Sequence, residues 1–205
     1  MKRPSLRQVR FAIACSNIAD NQINSNDVSI RKQVYNRGSR ERSSQVHVGS
    51  NNGFSANWLQ MNIFFDVDYT ILGLDNSLRP DTKETFQSLL DDNHRIYIWS
   101  GMGERWEVVN KFELNSFVSG VYEKPTHHFH ERLEELGVPL EPDFVIDDYP
   151  EIVSAFGGVW VPPYFFKRSV DQEMQRIYRV VNDFNTTGTS EDKQYRKKGS
   201  IVPLF

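Results

Sequence analysis

The chain has 205 residues and a formal net charge of −3 at pH 7, and 39% of its residues are hydrophobic. This length and composition exclude a short peptide and predict one domain with extra sequence, or two small domains. The lone Cys15 excludes an internal disulfide and a multi-cysteine zinc site. No apolar run approaches the roughly 18 residues that span a membrane, so we expect a cytoplasmic protein with no membrane partner.

Residues 1–60 differ from the rest of the chain. They carry nine Lys/Arg against three acids, a net charge of +6, so the remaining residues carry −9. The segment is rich in Asn, Ser, Arg and Gln and lacks a sustained hydrophobic period. Three interpretations stay open, namely a disordered tail, upstream sequence before a true start at Met61, or a targeting peptide. The acidic remainder gives no strong nucleic-acid signal.

From Met61 onward, short apolar runs alternate with amphipathic ones, and the pattern predicts the following elements. In chain order they are strand 62–66, helix 80–93, strand 95–99, helix 104–112, strand 117–122, helix 126–136, strand 144–146, helix 150–156, strand 158–161 and helix 170–184. Residues 61–185 are therefore predicted to form the folded core. The polar and then basic residues 186–205 are predicted to form a flexible tail.

Strands that alternate with helices indicate an α/β fold, a three-layer, doubly wound parallel sheet of the Rossmann-like kind. In such sheets, ligands bind at the carboxyl ends of the strands. Asp66, Ser100 and Asp147 all fall at predicted strand ends. We therefore expect these three side chains to meet at one edge of the sheet.

Two carboxylates, Asp66 and Asp68, lie two residues apart at the end of the first predicted strand. Buried carboxylates repel each other and are costly unless a cation lies between them. The pair therefore predicts a magnesium site and a nucleophile beside an acid/base. On this run alone, a turn that happens to carry two Asp residues is the alternative.

Four motifs follow one another along the chain. They are Asp66-x-Asp68-x-Thr70 after a strand, an apolar strand ending at Ser100-Gly101, Lys124 before a helix, and a strand ending in Asp147-Asp148. In this order, they resemble the motifs of the haloacid dehalogenase (HAD) superfamily of phosphohydrolases, and they cover residues 61–165. Tyr69 departs from the pattern, because many members carry Gly at that position.

The resemblance implies a reaction that passes through an aspartyl-phosphate. Asp66 would be the nucleophile, and Asp68 would protonate the leaving group and then deprotonate water. An acid/base at Asp68 favours phosphoryl transfer to water over dehalogenation. A phosphotransferase stays open as a minor alternative, since mutases of this class typically need a cap to retain the intermediate.

The resemblance also implies a Mg²⁺ cofactor and a phosphate site. Asp66 and Asp147 would bind the metal through their side chains, Asp68 through its backbone carbonyl, and Asp148 directly or through water. Ser100 and the Gly101 amide would donate hydrogen bonds to the phosphoryl group. Lys124 would neutralise the charge of the nucleophile and of the phosphate.

The spacing of the motifs predicts an open site. Between Asp66 and Ser100 lie 33 residues, and between Ser100 and Lys124 lie 23. A cap domain needs at least about 50 residues. The resemblance then implies a phosphorylated substrate, which could be macromolecular, or a lid from a partner subunit, so a dimer is compatible. Only the loop 73–79 could cover the site.

Other features favour less specific interpretations. His127 and His130 share a face of the predicted helix, and with His128 they could bind a metal, but a solvated or partly packed helix start is the stronger interpretation. Arg105 could bind a substrate anion, although a surface salt bridge is favoured. A HAD-like protein that binds or regulates with weak turnover is the main rival to a phosphatase.

Overall fold

The structure is a computed structural model that describes residues 59–201. Its elements in chain order are β1 (Asn62–Asp66), α1 (Thr82–Asp91), β2 (Arg95–Ser100), α2 (Trp106–Lys111), β3 (Val118–Glu123), α3 (Arg132–Glu135), β4 (Phe144–Asp147), α4 (Pro150–Phe156), β5 (Gly158–Trp160), α5 (Glu173–Thr187) and β6 (Tyr195–Arg196). None of the helices in this range has both the length and the apolar character needed to cross a lipid bilayer. The expectations for residues 1–58 lie outside the described residues.

The six strands form one sheet in the order β3-β2-β1-β4-β5-β6. The first five strands run parallel, whereas β6 pairs antiparallel with β5. The predicted α/β class is thus confirmed, and the sheet is mixed but mostly parallel. The central strand β1 is apolar throughout Ile63–Phe65 because helices cover both faces of such a sheet.

Alternate residues of β1 pack into two separate cores. Ile63 and Phe65 face a cluster that contains residues of α1, α2 and α5. Phe64 faces the opposite cluster, which contains residues of α3 and α4. The ring of Phe65 lies 4.7 Å from that of Phe86 on α1, and the ring of Phe64 stacks at 4.8 Å on Tyr97 of β2. The strand's two-residue period therefore fixes which face each helix covers.

A buried arginine holds the segments on the carboxyl side of the sheet together. Arg79 lies just before α1, and it donates a hydrogen bond to the backbone oxygen of Thr70 at 3.0 Å. Its Nε also lies 3.2 Å from the carboxylate of Asp171, just before α5. The guanidinium lies over the ring of Tyr164 at 5.0 Å. This set of contacts joins the loop after β1 to the segment between β5 and α5.

Two predicted elements differ from the structure. The helix predicted over 126–136 is limited to Arg132–Glu135, because His128 has a φ of 47°, which a right-handed helix does not allow. The predicted flexible tail over 186–205 instead contains β6, as far as it is described. Tyr195 packs against Phe184 at 5.9 Å, so an apolar contact secures a segment whose overall composition is polar.

Gly158 is a site where substitution should damage the sheet. Its φ is 147°, and an added Cβ would lie 1.9 Å from the backbone oxygen of Val145 on β4. We expect Gly158→Ala to lower the free energy of unfolding by more than about 3 kcal/mol, measured by urea denaturation.

Gly137→Ala is the matched control. Gly137 also has a positive φ, 68°, but an added Cβ meets nothing within 4 Å. Its cost should be limited to backbone strain of about 1 kcal/mol. Equal losses in the two variants would show that the close approach of β4 and β5 is not what constrains Gly158.

Candidate active site

The predicted site residues gather around one cavity of about 430 Å³ at the carboxyl edge of the sheet. The cavity is lined by Asp66, Asp68, Tyr69, Ser100, Gly101, Met102, Lys124, Pro125, Thr126, Asp148, Tyr149 and Ile152. Asp147 lies behind this surface and is fully buried. The parallel arrangement explains the convergence, because strands β1, β2, β3 and β4 all end at this edge.

Lys124 forms the centre of the site's charge network. Its Nζ lies 2.7 Å from Oδ1 of Asp66 and 2.8 Å from Oδ2 of Asp147, and all three side chains are buried. Lys124 directly follows β3, and its amide donates to the backbone oxygen of Ser100 at 2.9 Å. The pairing of β3 with β2 therefore positions Lys124 so that its side chain reaches the ends of β1 and β4.

Burial and mutual repulsion perturb the carboxyl groups of the site. Burial first, and then the charge of Asp147, raise the pKa of Asp66 to about 7, although Lys124 opposes the shift. Burial raises the pKa of Asp147 to about 6. Burial and the charge of Asp66 raise the pKa of Asp148 to about 6. The raised pKa values follow because one ammonium does not offset the burial and mutual repulsion of three carboxylates.

Burial alone would lower the pKa of Lys124, but the charges of Asp147 and Asp66 outweigh it and raise this pKa. The ammonium therefore stays charged throughout the neutral pH range. Lys124 is suited to act as a fixed positive charge and not as a proton donor.

Three carboxylates form a group that could hold a metal ion. Asp66, Asp147 and Asp148 each offer an oxygen, and these oxygens lie within 4.8 Å of one another. The Oδ2 atom of Asp66 is buried and accepts no hydrogen bond from the described residues. An all-oxygen donor set with excess negative charge suits a hard divalent cation. Three of the four predicted ligands, the side chains of Asp66, Asp147 and Asp148, therefore lie close enough together to hold a metal ion.

Asp68 lies on the other side of the cavity mouth, in contact with a serine and an arginine. The hydroxyl of Ser100 donates to Oδ2 of Asp68 at 2.8 Å. Nη1 of Arg105 lies 2.6 Å from Oδ1 of the same carboxylate. Arg105 also contacts Glu107, and these hydrogen bonds raise its pKa against the opposing effect of burial. The two predicted catalytic carboxylates thus have separate partners.

The backbone at Tyr69 explains why glycine suits this position. Tyr69 has a φ of 66°, in the left-handed region that glycine adopts without strain. Its amide donates to the oxygen of Leu72 at 2.9 Å, and its own oxygen accepts from the amide of Tyr164 at 2.6 Å. The side chain is directed to the cavity wall and contacts the ring of Phe165. The departure from glycine therefore adds an aromatic side chain to the site.

The histidines do not form the helix face that the sequence predicts. Residues 127–131 form bends and turns ahead of α3. Nδ1 of His130 lies 2.6 Å from Glu141, and its ring packs at 4.6 Å on Phe156. Within residues 59–201, the ligand atoms close enough together to hold a metal ion belong to Asp66, Asp147 and Asp148, and not to the histidines. The less specific interpretation of the histidines agrees with these contacts.

Arg105 forms the salt bridge that the sequence favoured, but one partner is a predicted catalytic residue. Its partly exposed guanidinium contacts Glu107 and also Asp68, which lines the cavity. The position of Arg105, a few residues beyond the end of β2 and at the start of α2, was the available signal. The partner could not be read from spacing, because the two residues are 37 positions apart.

No protein-family model, no curated protein and no solved structure matches this chain. The fold and the site define it as a mostly parallel α/β protein with a buried cluster of carboxylates around a lysine.

Because the pKa of Asp66 is raised from 3.8 to about 7, the folded state holds its proton more tightly than the unfolded state. The contribution of Asp66 to stability therefore falls as pH rises from about 4 to about 7. With a chelator present to remove metal ions, we expect the free energy of unfolding of the wild type to fall relative to that of Asp66→Asn. The expected fall between pH 4 and pH 7 is on the order of 1 kcal/mol per pH unit. Urea unfolding at several pH values measures the difference.

The effect of Mg²⁺ on the melting temperature also tests the repulsion among the carboxylates of Asp66, Asp147 and Asp148. Mg²⁺ should raise the melting temperature of wild type more at pH 8 than at pH 5, because protons compete with the metal for the carboxylates. Asp91→Asn is the control, since this exposed residue accepts a hydrogen bond from Gln87 far from the cluster. A Mg²⁺ effect that is equal at both pH values would contradict the role of the buried carboxylates.

Proposed function

We propose that the protein is a Mg²⁺-dependent phosphomonoesterase that acts through an aspartyl-phosphate, as the resemblance to HAD-type phosphatases implies. One observation carries the proposal: Lys124 bridges Asp66 and Asp147, while Oδ2 of Asp66 accepts no hydrogen bond from residues 59–201. This arrangement offers a nucleophile with a fixed cation beside it and room for a divalent ion. A purely structural ion pair has no need of the additional carboxylate, Asp148.

In the first step, the Asp66 carboxylate attacks phosphorus, and the bond between phosphorus and the ester oxygen breaks. Lys124 reduces the repulsion between the anionic nucleophile and the anionic phosphate. Asp68, in its protonated form, gives its proton to the departing oxygen. The products of this step are the free alcohol, an acyl phosphate on Asp66 and the carboxylate form of Asp68.

In the second step, water attacks the phosphorus of the aspartyl-phosphate. Asp68 accepts a proton from this water, so its protonated form is restored. The bond between phosphorus and Asp66 breaks, and inorganic phosphate leaves. Ser100 supports both steps, because its hydroxyl can turn from Asp68 towards a phosphoryl oxygen.

Asp66, Asp147 and Asp148 would hold the magnesium ion together with the backbone oxygen of Asp68. When bound, the ion supplies positive charge to the phosphoryl oxygens and offsets the excess charge of the carboxylates. Without it, protons compensate that charge, in keeping with the raised pKa values of Asp66, Asp147 and Asp148.

Arg105 sets the starting position of the acid/base. Its guanidinium contacts both oxygens of Asp68, which fixes the carboxylate at the cavity mouth. One of these contacts must open when Asp68 takes up the proton that it gives to the leaving group. Arg105 thus acts as a positioning residue for the carboxylate form of Asp68.

The site is proposed to be capless. Between Asp66 and Ser100 the described chain forms a loop, α1 and the rest of β2, and between Ser100 and Lys124 it forms α2 and β3. Helix α1 packs against α5 and β2, at the body of the fold. Because these segments form strands and helices of the α/β core, they do not supply a separate cap domain. This supports an active site that is open to the surface.

Asp66→Asn tests the nucleophile. We expect the variant to lose at least about a thousandfold in kcat for 4-nitrophenyl phosphate with Mg²⁺, because an amide cannot form the acyl phosphate. Phosphate release measured on the purified full chain gives the rate, and Asp91→Asn serves again as the control. Equal rates for wild type and Asp66→Asn would favour a protein that binds or regulates without turnover.

Asp68→Asn separates the two proton transfers. With 4-nitrophenyl phosphate, whose leaving group needs no proton, the variant should rapidly release one mole of 4-nitrophenol per mole of enzyme. Further turnover should be slow, because Asn cannot accept the proton of the water that hydrolyses the aspartyl-phosphate. With benzyl phosphate, whose leaving group is a strong base, the burst should be lost, with a rate loss of about 10²- to 10⁴-fold. A burst with both esters would show that Asp68 is not the acid. Rapid-quench kinetics makes the comparison.

A further inference from the structure

Exposed apolar side chains concentrate around the cavity. Ten large hydrophobic side chains are exposed within residues 59–201. All but Leu59 and Ile201 lie in segments that follow the carboxyl ends of β1, β2, β4 and β5. Exposed apolar residues that gather on the side of the sheet that holds a pocket indicate a binding role, since isolated exposed residues are normally scattered.

Three of these side chains form part of the cavity wall. Tyr69, Met102 and Tyr149 are 37%, 79% and 53% exposed, and all three line the cavity. Each follows a strand end that carries site chemistry, at one residue after Asp68, two after Ser100 and one after Asp148. The apolar surface therefore begins where the phosphate site ends.

At Tyr69, contacts with neighbouring residues hold the cavity wall in place. The ring of Tyr69 meets that of Phe165 edge to face, with centroids 5.5 Å apart. The backbone of Tyr69 is held by the hydrogen bonds to Leu72 and Tyr164 described above. The ring of Tyr69 is thus held in one position, and this suits the stacking of a flat group on it.

The charges of the cavity disfavour a second phosphate or a polyanion. Among the described residues that line the cavity, Lys124 is the one cation, and it already contacts two carboxylates. Arg105, near the site, is engaged by Asp68 and Glu107. The exposed cations Lys167 and Arg168 follow β5 but do not line the cavity. Beyond the single phosphate, the described lining therefore offers apolar contacts and no positive charge that is free of a carboxylate.

We propose, on the basis of the phosphatase function above, that the substrate is a monoester whose leaving alcohol carries an uncharged aromatic ring next to the ester oxygen. Tyr149 and Tyr69 would contact the ring while Asp66 attacks the phosphate. A cavity of about 430 Å³ is large enough for one phosphate and one ring. Aromatic faces add attraction beyond that of apolar area, so a flat ring is favoured over an aliphatic one.

Three alkyl phosphates test this substrate class without a large change in leaving-group chemistry, because each bears its phosphate on a primary alcohol. We expect kcat/KM to fall about fivefold from benzyl to cyclohexylmethyl phosphate and at least about thirtyfold from benzyl to ethyl phosphate. Tyr149→Leu should abolish the first difference and keep most of the second, while Tyr149→Ala should reduce both. The readout is the ratio of kcat/KM between two esters within one variant, so a general loss of activity in Tyr149→Leu or Tyr149→Ala does not enter the comparison.

Phe166→Ala is the matched control. Phe166 is 59% exposed on the same side of the sheet, but it does not line the cavity. Its loss should leave all three rates unchanged. Equal kcat/KM values for the three esters would overturn the proposal, and would favour a protein partner as the occupant of the apolar surface.

Binding separates this proposal from the phosphatase proposal. Benzylphosphonate and ethylphosphonate cannot lose their phosphorus group to water, and calorimetry with Mg²⁺ measures their affinities directly. Tighter binding of benzylphosphonate by about tenfold, reduced in Tyr149→Ala, would support the ligand class even if no ester is hydrolysed. Turnover of the esters with equal binding of the two phosphonates would support the phosphatase and refute the aromatic substrate.

Discussion

The contact of one ammonium with two buried carboxylates is the interaction on which the site depends. Lys124 follows β3, whereas Asp66 and Asp147 end β1 and β4, so the side chain of Lys124 reaches past the end of β2. Any change in the order or direction of these strands would separate the charges. Buried ion pairs give little net stability, because the cost of desolvation is close to the gain in attraction. The stability of the fold alone therefore gives little reason for this geometry, which supports the proposed catalytic role of this edge.

Much of the site could be predicted because a parallel sheet brings strand ends together. Asp66, Ser100 and Asp147 follow apolar runs that are recognisable in the sequence, so their convergence follows from topology alone. The pairing of Asp68 with Arg105 could not be predicted in this way. It depends on how the start of α2 is directed over the cavity, and that direction is set by packing and not by periodicity.

The differences between prediction and structure have local causes as well. A helix was predicted through His128 because its neighbours are compatible with one, but a single residue with φ of 47° ends that possibility. β6 escaped prediction because a two-residue strand has no period to detect. Tyr69 was recognised as unusual, yet only the structure shows that it has a left-handed backbone and an aromatic neighbour.

The short antiparallel strand β6 affects how much sheet edge the described residues offer to another strand. A sheet edge presents unpaired backbone groups that can recruit the edge of another molecule. Here β5 is covered by only two residues, and Lys193, Arg196, Lys197 and Lys198 lie within or beside that cover. At the opposite edge, β3 pairs with β2 across an irregularity in register. A short, positively charged strand on one side and a distorted one on the other leave little straight edge for a second sheet to extend.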